Sequence, residues 1–483
     1  MPDMISLSGY TLGILSIAYG MAMLIPLGYE VIYAGTHFES FAISILLCLL
    51  VGGALFFANH RRSYDLLAKQ AFLLTSLSWI WMSLLGALPF FFAKMDMSLV
   101  DMIFESVSGL TTTGSTVLTN LDAMDPGLLL WRSIIQWLGG FGIIAFAIIL
   151  LPVLRVGGMQ LFHSESSDNS SKAIPLTGKY LQLLVSVYLI LSILCFGLYA
   201  TFGMSLFDAF NHMMTTVSTG GFSTHDDSFG HFDSIPLKII GALFMLGGGI
   251  PFVLFVKLVV QGQFTFHRDE QVVTLLFIIL YASILVTVSL ILLPGTFEKK
   301  LIVDAFFNVI SIITTTGYAD GDYQFWGGLA VAVFFIITFL GSCSGSTAGG
   351  LKIFRIVLMA KVLYQQLRKL IYPRGVFPLR YNEKPVEGKV INSIMAFFFI
   401  YILSNIVIAM LLALTGLDFV TSLSGAATAI ANVGPGLGEI IGPSGNFASI
   451  PDTAKWILCA AMIAGRLEIL TFVVIFVPAI WRP

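Results

Sequence analysis

Four short stretches of small residues recur along the chain: Thr111-Thr112-Thr113-Gly114, Ser218-Thr219-Gly220-Gly221, Thr314-Thr315-Thr316-Gly317 and Ala431-Asn432-Val433-Gly434. The chemistry they offer is that of the bare peptide oxygen. Each closes an apolar segment, at 98–113, 207–219, 301–316 and 418–433. These segments fall short of the roughly 20 residues a helix needs to cross a bilayer, so the spacing predicts four re-entrant helices. Non-helical backbone at membrane depth is tolerated only where protein or a water-filled path surrounds it. Four such turns about one axis aim carbonyl oxygens inward, where they replace the hydration shell of a dehydrated monovalent cation. Each short helix also presents the partial negative charge of its carboxyl end to that axis. Glycine opens backbone conformations closed to other residues. One Thr-Thr-Gly turn carries little weight, because ordinary helices end that way; four in register predict a cation pore. Asp101, Asp208 and Asp304 each precede the last glycine of their turn by thirteen positions, with Thr421 at that place in the fourth, and all four are expected as N-caps.

The elements that hold these turns are read from hydropathy. Of 483 residues, 57% are hydrophobic and 11% charged, and the mean hydropathy is +0.92; soluble domains carry about 25% charge, so a water-soluble globule is excluded. Ten spans are expected, near 10–33, 40–57, 70–93, 128–154, 178–203, 236–260, 272–294, 328–364, 390–415 and 454–480. The pattern is an all-α polytopic membrane protein: two N-terminal helices (1–62), then four span, short helix, turn, span repeats at 63–163, 164–265, 266–375 and 376–483 around a pseudo-fourfold central pore. Eighteen of the 25 bases fall on the side that also holds both termini, which places that side in the cytoplasm. Acids collect on the other face, among them Asp101, Glu105, Asp208, Asp304 and Asp320, and such a face concentrates cations at an entrance. A total of 27 acids against 25 bases leaves no basic footprint for nucleic acid. Cys48, Cys195, Cys343 and Cys459 have no metal-type spacing and read as packing residues.

Two features lie below the turns. Gly341-Ser342-Cys343-Ser344-Gly345-Ser346-Thr347-Ala348-Gly349-Gly350 has no large side chain. Its four glycines each lower helix propensity by about 1 kcal/mol relative to alanine, so a flexible intramembrane loop is expected inside the 328–364 span. Arg466 sits within the last span, where an ionised residue is costly and marks a functional position; Glu468, two residues on, faces another side of a helix. Gly247-Gly248-Gly249-Ile250-Pro251 predicts a kink. His225, Asp226, Asp227 and His231 read as a solvated outer loop in preference to a metal site. The basic run from Lys352 to Lys389 either docks a partner or enforces topology and contacts anionic lipid. No nucleophile–base pair, HExxH pair or phosphate-cradling glycine loop stands within the spans, which argues against an enzyme.

With its four turns, and with GLTTTGSTVL, STGGFSTHD, TTTGYAD, ANVGPGLG, GSCSGSTAGGLKIFRI and GRLEILTFVVIF, the sequence resembles the Trk/Ktr/HKT superfamily of potassium-translocating membrane subunits over essentially its whole length. Within it the two extra N-terminal spans are similar to the bacterial TrkH/TrkG type. That resemblance implies potassium uptake across the bacterial inner membrane and a homodimer in which each subunit has its own pore. It also implies a cytosolic TrkA-type regulatory ring that carries the nucleotide, with no covalently bound cofactor on this chain. It assigns potassium coordination to backbone carbonyls of Thr112, Thr113, Gly114, Thr219, Gly220, Gly221, Thr315, Thr316, Gly317, Asn432, Val433 and Gly434, a gate to residues 341–350, and a barrier beneath the filter to Arg466. Val433 and Pro435 depart from the Thr-Thr-Gly pattern and make the filter asymmetric. The alternative is a sodium- or proton-coupled potassium symporter, which the scarcity of intramembrane carboxylates other than Glu468 disfavours for protons.

Overall fold

The computed structural model describes residues 2–60, 68–154, 173–293 and 300–478. The expected boundaries at 62/63 and 163/164, and Arg61, Arg62, Arg155, Lys172, Glu298, Lys299 and Arg482, lie outside them. The described chain is mostly helical, with one short antiparallel strand pair, Arg380–Tyr381 and Lys384–Pro385. Pro2–Ala22 with Leu24–Tyr33, and Phe38–Asn59, form an N-terminal hairpin. Its helices touch through glycine: a Cβ on Gly13 would stand 2.6 Å from the backbone nitrogen of Phe56, and one on Gly52 2.9 Å from Cβ of Ser16. Small residues at such crossings let backbones approach closely inside a membrane.

Four units follow. The first holds Ala68–Gly86, the short helix Leu99–Leu110 and Pro126–Leu154; the second Ala173–Thr201, Leu206–Val217 and Ile235–Gly249. The third holds Glu270–Leu292, Lys300–Ile313 and Gly328–Thr338; the fourth Gly388–Leu414, Phe419–Ala431 and Asp452–Arg466. All four short helices stand within a few residues of their expected places.

The ten-span expectation needs correction. Among the described residues seven helices are long and apolar enough to cross a membrane. Two more spans are broken pairs: Ile235–Gly249 turns by 94° into Phe252–Gln261, and Asp452–Arg466 by 112° into Ile469–Phe476. The tenth, expected at 328–364, is cut into Gly328–Thr338 and Ile353–Ile371 by the glycine-rich tract. The physical causes are local. Pro251 lacks an amide hydrogen and ends the helix before it, and Glu468 takes a left-handed conformation at φ 60°, which stops a helix.

The helix starts also differ from expectation. Ser98 and Ser205 are the N-caps, their hydroxyls accepting from the backbone N–H of Asp101 and Asp208 at 3.1 and 3.0 Å. The aspartates occupy the third helical position, Asp101 completing a capping box by accepting from the Ser98 N–H at 3.2 Å. In the fourth unit Asp418 caps, accepting from the amides of Val420 and Thr421. Asp304, the fifth residue of its helix, is committed to an ion pair with Lys238.

Three bases in the N-terminal turns of second helices are buried and tie the units together. Lys238 Nζ, 2% exposed, contacts Asp304 at 2.7 Å and Asp320 at 2.6 Å, joining units two and three. Lys455 reaches Asp101 at 2.6 Å, joining units four and one. Arg132 pairs with Glu105 at 2.7 Å and donates to the Ser223 carbonyl of unit two at 3.0 Å. Three bases therefore offset three of the four charges of Asp101, Glu105, Asp304 and Asp320, and this face is less negative than a count of its acids implies. Removing one partner of a buried pair costs about 3–5 kcal/mol. Lys238→Met should therefore lower the thermal unfolding midpoint of detergent-solubilised protein, and adding Asp304→Asn and Asp320→Asn should recover part of the loss; a midpoint unmoved by K238M would show that the pair does not hold the units.

Candidate functional site

All four turns share one backbone conformation. A left-handed residue stands at Thr112, Thr219, Thr315 and Asn432, with φ 51, 53, 56 and 55°, and two positions on each time stands a glycine at positive φ: Gly114 at 83°, Gly221 at 77°, Gly317 at 81° and Gly434 at 116°. The amide between them donates to the carbonyl five residues back in every unit: Thr113 to Ser108 at 2.9 Å, Gly220 to Thr215 at 2.9 Å, Thr316 to Ser311 at 2.8 Å and Val433 to Thr428 at 3.0 Å. This is a helix terminated by a left-handed residue. Asparagine tolerates that conformation; β-branched threonine does not, and a strained backbone of this kind costs on the order of 1–3 kcal/mol and persists only where its surroundings fix it.

The surroundings are the other turns. A Cβ on Gly114 would overlap the Gly220 carbonyl oxygen, one on Gly221 the Thr316 oxygen, and one on Gly317 the Val433 oxygen. One on Gly434 would lie 2.8 Å from the Thr113 oxygen. The contacts run from unit one to two, two to three, three to four and four to one, so the turns close a ring. Each contact is made by the same position of each turn, including the fourth, whose sequence differs most. Thr111 to Thr113, Thr219, Thr314 to Thr316, Asn432 and Val433 are fully buried.

The tract 341–350 lies directly beneath the ring and is non-helical, as expected. It is not the freely flexible loop that its composition predicts. Thr347 N–H and Oγ1 both donate to the Gly248 carbonyl, at 3.1 and 3.0 Å. Cys343 N–H and Ser342 Oγ donate to the Gly249 carbonyl at 3.1 and 2.7 Å, and Phe252 N–H returns a bond to the Gly345 carbonyl at 2.9 Å. The polar groups left by the break in the second unit are thus satisfied by the third unit's loop. From above, Thr219 Oγ1 donates to Thr347 Oγ1 at 3.1 Å and Thr315 Oγ1 accepts from Gly349 N–H at 2.8 Å. Arg466, 3% exposed, donates from Nη1 to the Thr347 carbonyl at 2.7 Å.

A family model described as TrkH, cation transport protein, matches residues 37–482. The chain belongs to the TrkH cation-transport family. It is 44% identical to the Trk system potassium uptake protein TrkI of Halomonas elongata, over 98% of this chain and 96% of that one. It is 34% identical to Trk system potassium uptake protein TrkH of Escherichia coli, over 97% and 98%. The crystal structure of the potassium transporter TrkH from Vibrio parahaemolyticus matches with a TM-score of 0.89 at 32% identity, covering 99% of each chain. TrkH proteins are a transport family, so the expectation of a transporter in place of an enzyme holds.

Several residues around the ring were not singled out by the sequence. Gln136 donates to the Gly220 carbonyl at 2.7 Å and accepts from Phe222 N–H at 3.0 Å, bracing the second turn from the first unit. Ser115 Oγ donates to the Gly434 carbonyl at 2.9 Å. A carbonyl has two lone pairs, so each of these oxygens keeps one free. Tyr318 reaches back to Thr215 Oγ1 at 2.5 Å and Thr216 Oγ1 at 3.1 Å. Asn432, assigned from the sequence for its carbonyl alone, also spans with its side-chain Nδ2 from the fourth unit to Thr113 Oγ1 at 3.0 Å. The available signal was a lone amide or phenol in an otherwise apolar segment. Below the loop, Lys352 and Arg355, counted from sequence as cytoplasmic loop bases, are buried: Lys352 donates to the Ala348 carbonyl and Arg355 pairs with Glu468 at 2.5 Å. Glu468 therefore has a partner on the third unit and, among the described residues, no ion pair on its own helix. Above the ring, a vestibule is lined by the four glycines together with His225 and Asp226. Burial would lower the His225 imidazole pKa, but hydrogen bonds to Asp208 and Asp122 outweigh it and hold the value above the ordinary one.

The glycine contacts rank the turns. Alanine at Gly114, Gly221 or Gly317 forces a carbonyl of the next unit aside and strains a positive φ, whereas at Gly434 the overlap is smaller. In a potassium-uptake-deficient host, G114A, G221A and G317A should abolish growth at low potassium, with G434A retaining part of it; full growth of all four at normal protein levels would rule out a working ring.

Proposed function

We propose that this chain takes up potassium across the bacterial inner membrane through a gated filter, with both termini in the cytoplasm. The observation that carries the proposal is the closed ring of four equivalent turns. Backbone carbonyls of Thr112 to Gly114, Thr219 to Gly221, Thr315 to Gly317 and Asn432 to Gly434 replace the water of a dehydrated ion, as carbonyl rings do in potassium channels. The named relatives are potassium uptake proteins, which supports potassium as the ion. The ring argues for the four-unit division at 63–163, 164–265, 266–375 and 376–483. Inward movement is driven by the membrane potential, about 2.3 kcal/mol per charge for each 100 mV. The tract 341–350 is the gate, since it stands bonded beneath the ring, and Arg466 holds it there while opposing passing cations with its charge.

Relief of the gate is assigned to a cytosolic TrkA-type ring that carries the nucleotide, acting on a homodimer of this chain. The helix Ile353–Ile371 supports such a contact: it follows the gate directly and leaves Leu363, Tyr364, Leu367 and Leu370 exposed beside Arg368 and Lys369. Coupling to protons loses its candidate relay, because Glu468 is held in the Arg355 pair. Potassium flux into liposomes should accordingly proceed with no sodium or proton gradient; strict dependence on either would establish the symporter instead. Arg466→Ala should raise basal potassium flux severalfold without the regulatory ring. Unchanged flux at normal yield would leave Arg466 a structural residue alone.

A further inference from the structure

The outer loops carry a cluster that potassium passage does not use. Asp122 lies in the short helical turn Leu121–Ala123 after the first filter turn, and His231 ends the turn Ser228–His231 after the second. His225 stands between the second filter turn and His231. One carboxylate oxygen of Asp122 and one ring nitrogen of each histidine lie within 4.8 Å of one another. Nδ1 of His225 is hydrogen-bonded to Asp122 Oδ1, and the two imidazoles stack with centroids 3.5 Å apart and 2° between planes. The far nitrogen of His225, Nε2, faces Asp208 Oδ1 at 3.3 Å. Asp208 is fixed by the hydroxyls of Ser205 at 2.6 Å and Thr224 at 2.7 Å.

We propose that Asp122, His225 and His231 form an external site for a divalent transition-metal ion, and that its occupation slows potassium entry. Two imidazoles and one carboxylate suit zinc, nickel, copper or cobalt, whereas calcium and magnesium require oxygen ligands. Three protein ligands leave a fourth position for water, an open tetrahedral arrangement. Asp208 supplies the outer carboxylate that a metal-bound histidine ordinarily contacts through its other nitrogen, fixing Nδ1 as the ligating atom. Asp122 and His231 are exposed, so the ion arrives from the outer solution, and His231 swings out of the stack to bring its lone pair to the ion. Binding joins loops of the first and second units. His225 also lines the vestibule shared with Gly114, Gly221, Gly317 and Gly434, so a doubly charged ion there repels the next cation approaching the ring.

The effect on flux rests on the uptake function proposed above; the binding does not, and two measurements separate them. Tag-free protein in detergent is titrated with cobalt(II), whose visible absorption reports tetrahedral nitrogen and oxygen ligation, and with zinc(II) in competition. The wild type should bind one ion per chain, and His231→Gln and Asp122→Asn should each weaken binding at least tenfold. In proteoliposomes external zinc should reduce potassium flux severalfold, with recovery on adding EDTA, while His231→Gln should keep its zinc-free flux and lose the inhibition. No cobalt spectrum, or equal binding by wild type and both variants, overturns the site. Binding with unchanged flux overturns its action on the pore. Absence of any zinc-free potassium flux in the wild type would count against the uptake function and leave the cobalt result standing.

Discussion

The molecule is organised by a steric condition: four glycines must approach the peptide oxygen of the neighbouring unit more closely than a Cβ permits. Gly114, Gly221, Gly317 and Gly434 meet it in cyclic order. Because every turn touches the next, no unit can shift without moving the ring. The three left-handed threonines at 112, 219 and 315 are conformations a free chain would leave. Their persistence is evidence of how firmly the short helices and the second long helices hold them. The same firmness is what selective dehydration of an ion needs, since loosely held oxygens would adapt to a smaller ion.

Buried charge supplies much of that firmness. Lys238 bridges units two and three and Lys455 bridges units four and one, each through an aspartate at the same place on the next short helix, Asp304 or Asp101. Arg132 and Gln136 serve the boundary of units one and two, and Gln324, which accepts from Gly438 N–H at 2.7 Å, that of three and four. The backbone of the ring is fourfold while its fastenings are not. Isolated charges would be prohibitive at this depth, so each base is paired at hydrogen-bond distance. The geometry required at a boundary is fixed, but the residues that meet it need not repeat.

This explains what the sequence could and could not convey. The short helices, the four turns, the broken span at Gly249 and the glycine-rich tract were legible, because each depends on local length, hydropathy or glycine content. Asp101, Asp208 and Asp304 were correctly noticed for their common spacing but given the wrong task, since capping by Ser98 or Ser205 and pairing with Lys238 or Lys455 look alike from spacing alone. Lys238, Lys455, Arg132, Gln136 and Tyr318 act across units more than 60 residues away in the chain, and no periodicity within one unit points to such partners. The Arg355–Glu468 pair was illegible for a further reason: it depends on the positive-φ break at Glu468 itself, a residue type that does not ordinarily mark one.

Symmetry ends below the ring, and the proposed gate follows from where it ends. Second helices of units two, three and four break beneath the turns, while that of unit one, Pro126–Leu154, continues. Among the described residues only the third unit inserts a loop long enough to reach across, and it takes up the free carbonyls Gly248 and Gly249 left by the second. A net hydrogen bond is worth about 0.5–1.5 kcal/mol when water is the alternative. If the loop withdraws and water takes its place on those carbonyls, the hydrogen bonds lost amount to a modest sum, although Ser342, Cys343, Thr347 and Ala348 are themselves buried. Arg466 adds one bond to Thr347, and the helix that begins at Ile353 transmits any pull applied at its far end to the loop it terminates. On the gate reading proposed above, a partner bound to that helix would need only a few kilocalories of differential binding to shift the loop, while the ring above is fixed by contacts too close to yield.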